Sequence, residues 1–221
     1  MKTDTDVNSL ETIRQLLDGI YGEVDAQLAF ERIRTLIERF PRQNSKKQEY
    51  FSQEDVILIT YGDQFREPEI PPLRTLREVL TRSLDRAVSG VHILPFFPYS
   101  SDDGFSIIDY TQLTPQFVEW EDVEALGQAF RLMFDAVLNH ISQHSAWFQR
   151  FLDGDPKYAD WFIAFEPDAP TDWIPQVVRP RPWPLLTRVQ TPAGEKLVWT
   201  TFSEDQIDLN FAHPPVLLRI L

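Results

Sequence analysis

The sequence predicts an α/β protein built on a parallel β-sheet, and three observations carry this prediction. Continuous apolar runs of strand length occur at residues 55–63, 90–98 and 131–139. Amphipathic segments with helical spacing separate these runs, at residues 71–85 and 120–130. Apolar strands that alternate with helices are typical of βαβ units around a parallel sheet. The composition agrees, because 43% hydrophobic residues are enough for a sizeable core.

A helical extension is predicted before the first strand, within residues 1–50. Pro41 ends its second helix, because proline lacks the amide hydrogen that a helix interior needs. The polar stretch 41–55 then joins the extension to the main body, residues 51–140. Apolar residues recur at helical spacing in two groups: Leu10, Ile13, Leu16, Leu17 and Ile20, then Leu28, Ile33, Leu36, Ile37 and Phe40.

An inserted segment is predicted over residues 141–211, because the alternation of strands and helices stops after His140. This segment is rich in proline and tryptophan. Residues 197–211 suggest a short strand and turn that close the insertion, and residues 212–221 begin the next helix. The third strand would then have an unpaired edge, which soluble proteins normally avoid.

The excess of acidic residues limits the kinds of molecule that this protein could bind. Asp and Glu number 34 against 21 Lys and Arg, and the net charge of −13 disfavours nucleic acid and anionic membranes. The chain has no cysteine, so disulfides and thiolate chemistry are excluded. The first residues lack the apolar core of a signal peptide, and no run approaches the ~20 residues that span a bilayer. We therefore expect a cytoplasmic protein, of an oligomeric state that the sequence does not define.

Polar residues follow the carboxyl end of each predicted strand. Because these ends meet at one rim of a parallel sheet, a binding site is expected there. The alternative for the "SSDDG" stretch is an ordinary turn, since Ser, Asp and Gly all favour turns. The residues concerned are Asp63 after the first strand, Asp102, Asp103 and Asp109 after the second, and Asn139 and His140 after the third.

The stretch "FDAVLNH" places Asp135 inside an apolar run, where a carboxylate is costly to bury without partners. The simpler interpretation is a core aspartate with satisfied hydrogen bonds beside a surface histidine. Aspartate and histidine at one rim, with Phe105 and Tyr110 nearby, would suit a sugar. The residues show no ligand spacing typical of zinc, and they leave calcium open.

The proline-rich stretch "VVRPRPWPLLT" holds Arg181 between two prolines. A stiff backbone would keep the guanidinium in place to bind an anion through two N–H groups. The alternative is a rigid surface loop whose arginines stack on Trp183.

Five motifs occur in the order and spacing of the sucrose phosphorylase group of the α-amylase superfamily, glycoside hydrolase family thirteen. They are "ITYGD", "VHILPFFPYSSDDGFSIIDY", "DAVLNH", "RPRPWPLLT" and "LVWTTFSEDQIDLNF", and the resemblance covers residues 54–221. Within the group, the extension and "RPRPWPLLT" are more similar to glucosylglycerate phosphorylases. The resemblance implies the amino-terminal part of a (β/α)8 barrel, with about three strands and a small domain inserted after the third.

The resemblance also implies roles for individual residues. Asp102 and His140 would bind glucosyl hydroxyls, and Phe105 would form a wall of the glucose subsite. Arg181 would face phosphate or an anionic acceptor. Asp135 and Asn139 would support the strand end at His140, and Asp208 would be structural at best. Inorganic phosphate is the implied co-substrate, without a cofactor or metal.

The implied reaction is a double displacement with retention on sucrose, sucrose phosphate or glucosylglycerate, which releases glucose 1-phosphate. In the family the nucleophile, the general acid/base and a stabilising aspartate follow strands four, five and seven. A full barrel needs about 250 residues. We therefore expect no catalytic residue in this chain, and a truncated protein that is inactive alone. A hydrolase or glucan-modifying enzyme of the same superfamily, and a non-catalytic sugar-binding remnant, remain alternatives.

Overall fold

The computed structural model describes residues 4–40, 52–84, 87–114 and 119–221. The predicted join at residues 41–55 lies mostly outside these residues, as do residues 1–3 and residue 85. The helices of the described residues are α1 (Asp4–Tyr21), α2 (Glu23–Arg39), α3 (Pro72–Leu84), α4 (Trp120–Gly127), α5 (Ala146–Leu152) and α6 (Pro214–Ile220). The strands are β1 (Ile57–Thr60), β2 (Gly90–Ile93), β3 (Arg131–Phe134), β4 (His140–Ser142), β5 (Ala164–Phe165), β6 (Leu186–Thr191), β7 (Gly194–Trp199) and β8 (Gln206–Asp208).

A parallel sheet of three strands, in the order β1-β2-β3, forms the centre of the main body. Ile57 pairs with Gly90, and Gly90 with Arg131, so the three strands start in register. Helices α3 and α4 follow β1 and β2 along the chain, as βαβ units require. The predicted α/β fold class is confirmed.

The third strand is shorter than predicted. It ends at Phe134, and the prediction of a strand through residue 139 was wrong. His140 instead begins β4, which pairs antiparallel with β8, a strand 66 positions further along the chain. Because this pairing takes the hydrogen bonds of His140–Ser142, these residues cannot continue the parallel sheet. Asp135 accordingly follows the strand and does not lie inside it.

One face of the sheet is covered by helices α3 and α4. Val91 and Ile93 of β2 are fully buried there against Leu76 and Leu126. Side chains alternate between the two faces of a strand, so the next residues along point the other way. On that opposite face Ile59 is 62% exposed and Met133 44% exposed. In the part of the chain that the structure describes, β3 pairs with β2 alone.

The helical extension forms a hairpin of α1 and α2 that packs on α6. Leu17, Ala29 and Ile33 are buried in this contact, with Leu217 from α6 packed against them. The Tyr21 hydroxyl donates to the Phe211 carbonyl oxygen at 2.9 Å. Only part of the predicted apolar pattern is buried, because Leu16, Ile20, Leu28, Ile37 and Phe40 are exposed.

The inserted segment contains its own antiparallel sheet, in the order β5-β7-β6. The antiparallel pair of β4 and β8 brings its two ends together. Its core is aromatic: Phe148, Phe151 and Phe162 lie with ring centroids 5.0 to 5.6 Å apart. Ser145 caps helix α5 by accepting from the Phe148 amide. An insertion after the third strand is therefore part of the observed fold.

Candidate functional site

The loop after β2 turns sharply at Asp102–Gly104. Asp102 and Asp103 have φ angles of 55° and 51°, in the left-handed region that aspartate tolerates better than most residues. Gly104 has a φ of 105°, and a Cβ atom there would lie 2.9 Å from the Pro95 carbonyl oxygen. The "SSDDG" stretch is therefore a tight turn, and the turn sets the direction of the Asp102 carboxylate.

The Asp102 carboxylate accepts hydrogen bonds from two distant parts of the chain. Arg181 Nη2 donates to its two oxygens at 3.0 and 3.2 Å. Gln206 Nε2 donates to Oδ2 at 3.0 Å. The proline-rich stretch and strand β8 therefore meet at the loop after β2. The Arg181 and Asp102 side chains are 43% and 27% exposed, so solvent still reaches this ion pair.

His140 lies in the same cluster, beside Gln206. The Gln206 amide nitrogen lies 3.2 Å from His140 Nε2, and Nε2 lies 2.9 Å from the Phe105 carbonyl oxygen. Because a carbonyl can only accept, Nε2 carries the ring proton of a neutral His140 and donates it to Phe105. The approach of the Gln206 amide nitrogen to Nε2 is then a close contact between two donors and not a hydrogen bond. The structure therefore brings Asp102, Phe105, His140 and Arg181 together around Gln206.

The surroundings of His140 favour the neutral ring. The side chain is 5% exposed, and the ring of Phe202 lies 4.9 Å from it. Burial lowers the pKa of His140, although the Phe105 carbonyl and the charge of Asp208 oppose this shift. Its buried Nδ1 has no hydrogen-bond partner in the described part of the chain.

Asp135 lies against β2 and not against His140. Its Oδ2 is 2.7 Å from Nε2 of His92, which lies in the central strand β2. The predicted support of His140 by Asp135 is thus not a direct contact. Asn139 contacts the strand that pairs with His140, because its side-chain amide donates to Asp208 Oδ2 at 3.0 Å. Asp208 is the residue that pairs with His140 between β4 and β8.

The Asp208 carboxylate holds the closing strand of the insertion in place. It accepts from the Thr201 amide at 3.0 Å and from the Thr201 hydroxyl at 2.5 Å, besides Asn139. Burial raises the pKa of Asp208, and these hydrogen bonds act in the opposite direction. This set of contacts is structural in character.

Asp205 was not found by sequence analysis, although it binds more hydroxyl groups than any predicted residue. Its Oδ2 accepts from Ser100 at 2.6 Å, from Ser106 at 2.8 Å and from Ser101. Its Oδ1 accepts from Ser142 at 3.4 Å. Burial acts to raise the pKa of Asp205, but the serine hydrogen bonds outweigh it and the pKa is lowered. The only sequence signal is the number of serines around Asp102 and His140.

A cleft of about 310 Å³ lies beside the ends of β1 and β2. Burial raises the pKa of Tyr61 at this cleft, and the nearby charge of Asp103 adds to the shift. Aromatic faces beside carboxylates are suited to a sugar ring. Two of the predicted rim residues, Asp63 and Asp103, line this cleft. The other lining residues are Tyr61, Gly62, Pro95, Phe96 and Tyr99.

Two residues of the predicted rim have local roles instead. Asp109 closes its own turn, because its Oδ1 accepts from the Thr111 amide at 2.7 Å. The Tyr110 hydroxyl lies 2.7 Å from the Val137 carbonyl oxygen and 2.9 Å from that of His140. Burial raises the pKa of Tyr110. These contacts shape the backbone around His140.

The described residues contain neither a cluster of metal ligands nor a membrane-spanning helix. No three His, Asp or Glu side chains gather there in a way that could hold a metal ion. None of the helices there is both long and apolar enough to cross a membrane.

The protein-family model for the α-amylase catalytic domain matches residues 84–220. Among curated proteins, the glucosylglycerate phosphorylase of Spirochaeta thermophila is 47% identical over 219 residues, which cover 96% of this chain and 37% of that protein. The sucrose phosphorylase of Agrobacterium vitis is 36% identical over 180 residues, which cover 75% of this chain and 36% of that protein. The chain thus spans little more than a third of the length of these relatives.

The three-dimensional structure of the chain is also similar to a solved structure. The sucrose 6F-phosphate phosphorylase from Thermoanaerobacter thermosaccharolyticum matches with a TM-score of 0.68 and 31% identity, over 80% of this chain and 37% of that one. The three parallel strands and their helices therefore correspond to the amino-terminal part of a (β/α)8 barrel, as the sequence resemblance implied. The chain belongs to the α-amylase family, and its relatives lie in the sucrose phosphorylase group.

Proposed function

We propose that this chain supplies the sugar-holding residues of a phosphorylase that cleaves an α-glucoside with retention and releases glucose 1-phosphate. The observation that carries the proposal is the single cluster in which Arg181 and Gln206 both donate to the Asp102 carboxylate, with His140 in contact with Gln206. The names of the relatives, glucosylglycerate and sucrose phosphorylases, support this class of reaction. The activity of the whole protein is part of the proposal, because the chain spans 37% of the first relative.

Asp102 is the proposed acceptor for glucosyl hydroxyls. A carboxylate offers about four lone-pair positions, and the three hydrogen bonds from Arg181 and Gln206 leave about one of them free for a hydroxyl. The left-handed turn and the two donors hold the carboxylate in one orientation. Such a group binds a hydroxyl without first losing conformational freedom. His140 and Phe105 complete this wall of the proposed subsite.

Arg181 is the proposed contact for phosphate or for an anionic acceptor. Its contacts with Asp102 use Nη2, while the guanidinium carries five N–H donors in all. Prolines on both sides limit the backbone and so limit the positions of the side chain. An oxyanion on the remaining donors would lie beside the hydroxyl-binding carboxylate, where the second step of a phosphorolysis needs it.

We assign no bond-breaking role to any residue of this chain. The nucleophile and the general acid/base of a retaining mechanism lie outside these residues in our proposal. The 47% identity to a glucosylglycerate phosphorylase favours glucosylglycerate as the glucosyl donor, ahead of sucrose and sucrose phosphate.

The test is a hybrid enzyme in which this chain replaces the matching part of the Spirochaeta thermophila protein. With inorganic phosphate and each of the three donors, the hybrid is expected to release glucose 1-phosphate, and the chain alone is not. Arg181→Gln should lower kcat/KM for phosphate by about 100-fold, since it removes a charged donor at the anion. Arg188→Gln is the matched control, because Arg188 pairs with Glu195 on the surface of the insertion.

The alternatives give different results. Release of glucose at a rate independent of phosphate would favour a hydrolase. Saturable sugar binding by a hybrid without turnover would favour a sugar-binding protein. Either result overturns the proposed phosphorolysis.

A further inference from the structure

A cavity of about 690 Å³ lies between the helical extension and the rest of the chain. Helix α2 forms one wall, and residues from the insertion and helix α6 form the other. Four cationic side chains line it: Arg32 and Arg39 from the extension, and Lys157 and Arg219 from the opposite wall. None of these residues belongs to the cluster around Asp102.

The cavity is positively charged in a strongly acidic protein. The chain has 34 acidic and 21 basic residues, yet no Asp or Glu lines this cavity. None of the four cations forms an ion pair in the described residues. Arg34, on the same helix but outside the cavity, does pair with Glu31. Within the described residues, no carboxylate therefore neutralises the positive charge of the cavity.

Three of the four cations lie over aromatic rings, and the Arg39 guanidinium is 5.3 Å from the Phe40 ring centroid. The Arg219 guanidinium lies 5.6 Å from the Trp147 ring centroid, and the Lys157 ammonium lies 5.3 Å from that of Tyr158. A cation–π contact positions the charge through the ring face. It leaves N–H donors available, whereas an ion pair with a carboxylate would occupy them. These cations are thus positioned and still able to bind an anion.

We propose that this cavity binds a small phosphate monoester, with its phosphate group on the four cations. Like charges gathered in one cavity repel each other, and a dianion on them removes this repulsion. The volume lies within the 300–1,000 Å³ typical of sites for small organic ligands, and is larger than a bare phosphate ion needs. Because two cations come from each wall, the ligand would also fasten the extension to the rest of the chain.

The test is calorimetric titration of the chain with glucose 6-phosphate, inorganic phosphate and glucose. Glucose 6-phosphate should bind with saturation and inorganic phosphate more weakly. Glucose, whose proposed site is the Asp102 cluster, should bind with the same affinity to the chain and to its Arg32→Gln variant. Arg32→Gln should weaken glucose 6-phosphate binding at least fivefold. Arg34→Gln makes the same charge change on the same helix outside the cavity, and should change the affinity less than twofold. The ligand should also raise the Tm of the chain, but not that of the Arg32→Gln variant.

Several results would overturn the proposal. One is the absence of saturable heat up to about 10 mM glucose 6-phosphate. Another is an equal loss of affinity in the Arg32→Gln and Arg34→Gln variants, which would indicate a diffuse charge effect. Equal affinities for inorganic phosphate and glucose 6-phosphate would contradict the assignment to a monoester. The titration is repeated with Arg181→Gln, since a loss of binding there would place the ligand at the Asp102 cluster, whereas retained binding supports the cavity.

Discussion

Nε2 of His140 lies 2.9 Å from the main-chain carbonyl oxygen of Phe105. This contact binds the first strand of the insertion to the loop that carries Asp102. It is part of a wider connection, because Gln206 and Asp205 join the same loop to the closing end of the insertion. The proposed sugar subsite therefore depends on how the insertion closes.

Asp102→Asn is expected to weaken binding of glucose to the chain at least tenfold. The change replaces a charged acceptor by a neutral amide, and hydrogen bonds to charged groups contribute about 1.5–3 kcal/mol. Asp109→Asn is the matched control, since Asp109 closes a local turn that asparagine can also close. Calorimetry with both variants measures the difference, and equal affinities would exclude Asp102 from the subsite.

The free energy of unfolding should fall as the pH drops below 6.5, the ordinary pKa of histidine. Burial lowers the pKa of His140 in the folded chain, so the unfolded chain takes up a proton first on acidification. The slope for one proton is at most about 1.4 kcal/mol per pH unit.

Urea unfolding at a series of pH values measures this slope in the chain and in His140→Gln. The slope between pH 6.5 and the lowered pKa should be smaller in His140→Gln. His144→Gln is the control, because it removes an exposed imidazole. Its free energy of unfolding should depend on pH as steeply as that of the unmodified chain. An unchanged slope in His140→Gln would show that another group titrates.

Gly104→Ala should destabilise the chain by about 1–3 kcal/mol more than Gly194→Ala does. Both glycines have positive φ angles, 105° and 118°, so both variants carry backbone strain. Only at Gly104 would the new Cβ meet backbone, the Pro95 carbonyl oxygen at 2.9 Å, whereas at Gly194 nothing lies within 4 Å. Urea unfolding compares the two variants. Because Gly104 adjoins the Asp102 turn, glucose binding should fall in the same variant and not in Gly194→Ala.

Asp205→Asn should lower the free energy of unfolding at pH 7 by about 1–3 kcal/mol. The carboxylate accepts from several serine hydroxyls, and an amide offers one acceptor oxygen in place of two. The lowered pKa of Asp205 makes its contribution present above pH 3.8 and lost as the pH falls further. The difference between the chain and the variant should therefore shrink below pH 3.8.

Glu204→Gln is the control for Asp205, because this neighbour is exposed and carries the same charge. Its free energy of unfolding should stay within about 0.5 kcal/mol of that of the unmodified chain. Equal effects of the two substitutions would show that net charge, and not the serine cluster, is responsible.

The local pattern of apolar residues and prolines was sufficient to predict most of the helices and strands. Helices α3 and α6 lie where apolar spacing and leading prolines placed them, and the three strands of the parallel sheet follow apolar runs. These elements depend on periodicities of a few residues, which a single sequence displays. Leu16 and Leu28 fit the helical spacing and are nevertheless exposed, because spacing does not reveal which apolar residues have a partner to pack against.

The length of the third strand depended on a distant pairing. The apolar run continues past Phe134, but β4 pairs with β8, whose residues follow more than sixty positions later. Asp135 was predicted beside His140 for the same reason, and it lies against His92. A run of apolar residues does not record which strand its hydrogen bonds will reach.

The sequence by itself determined the fold class, the insertion, the family resemblance and the residue types of the candidate site, because each is written in short stretches of neighbouring residues. Only the tertiary structure decided that Asp102, Arg181, Gln206 and His140 meet, since their contacts join positions 66 to 104 residues apart. It also decided the roles of Gln206 and Asp205 and the cationic cavity. Such contacts depend on how separate elements pack, and side-chain spacing along the chain does not encode them.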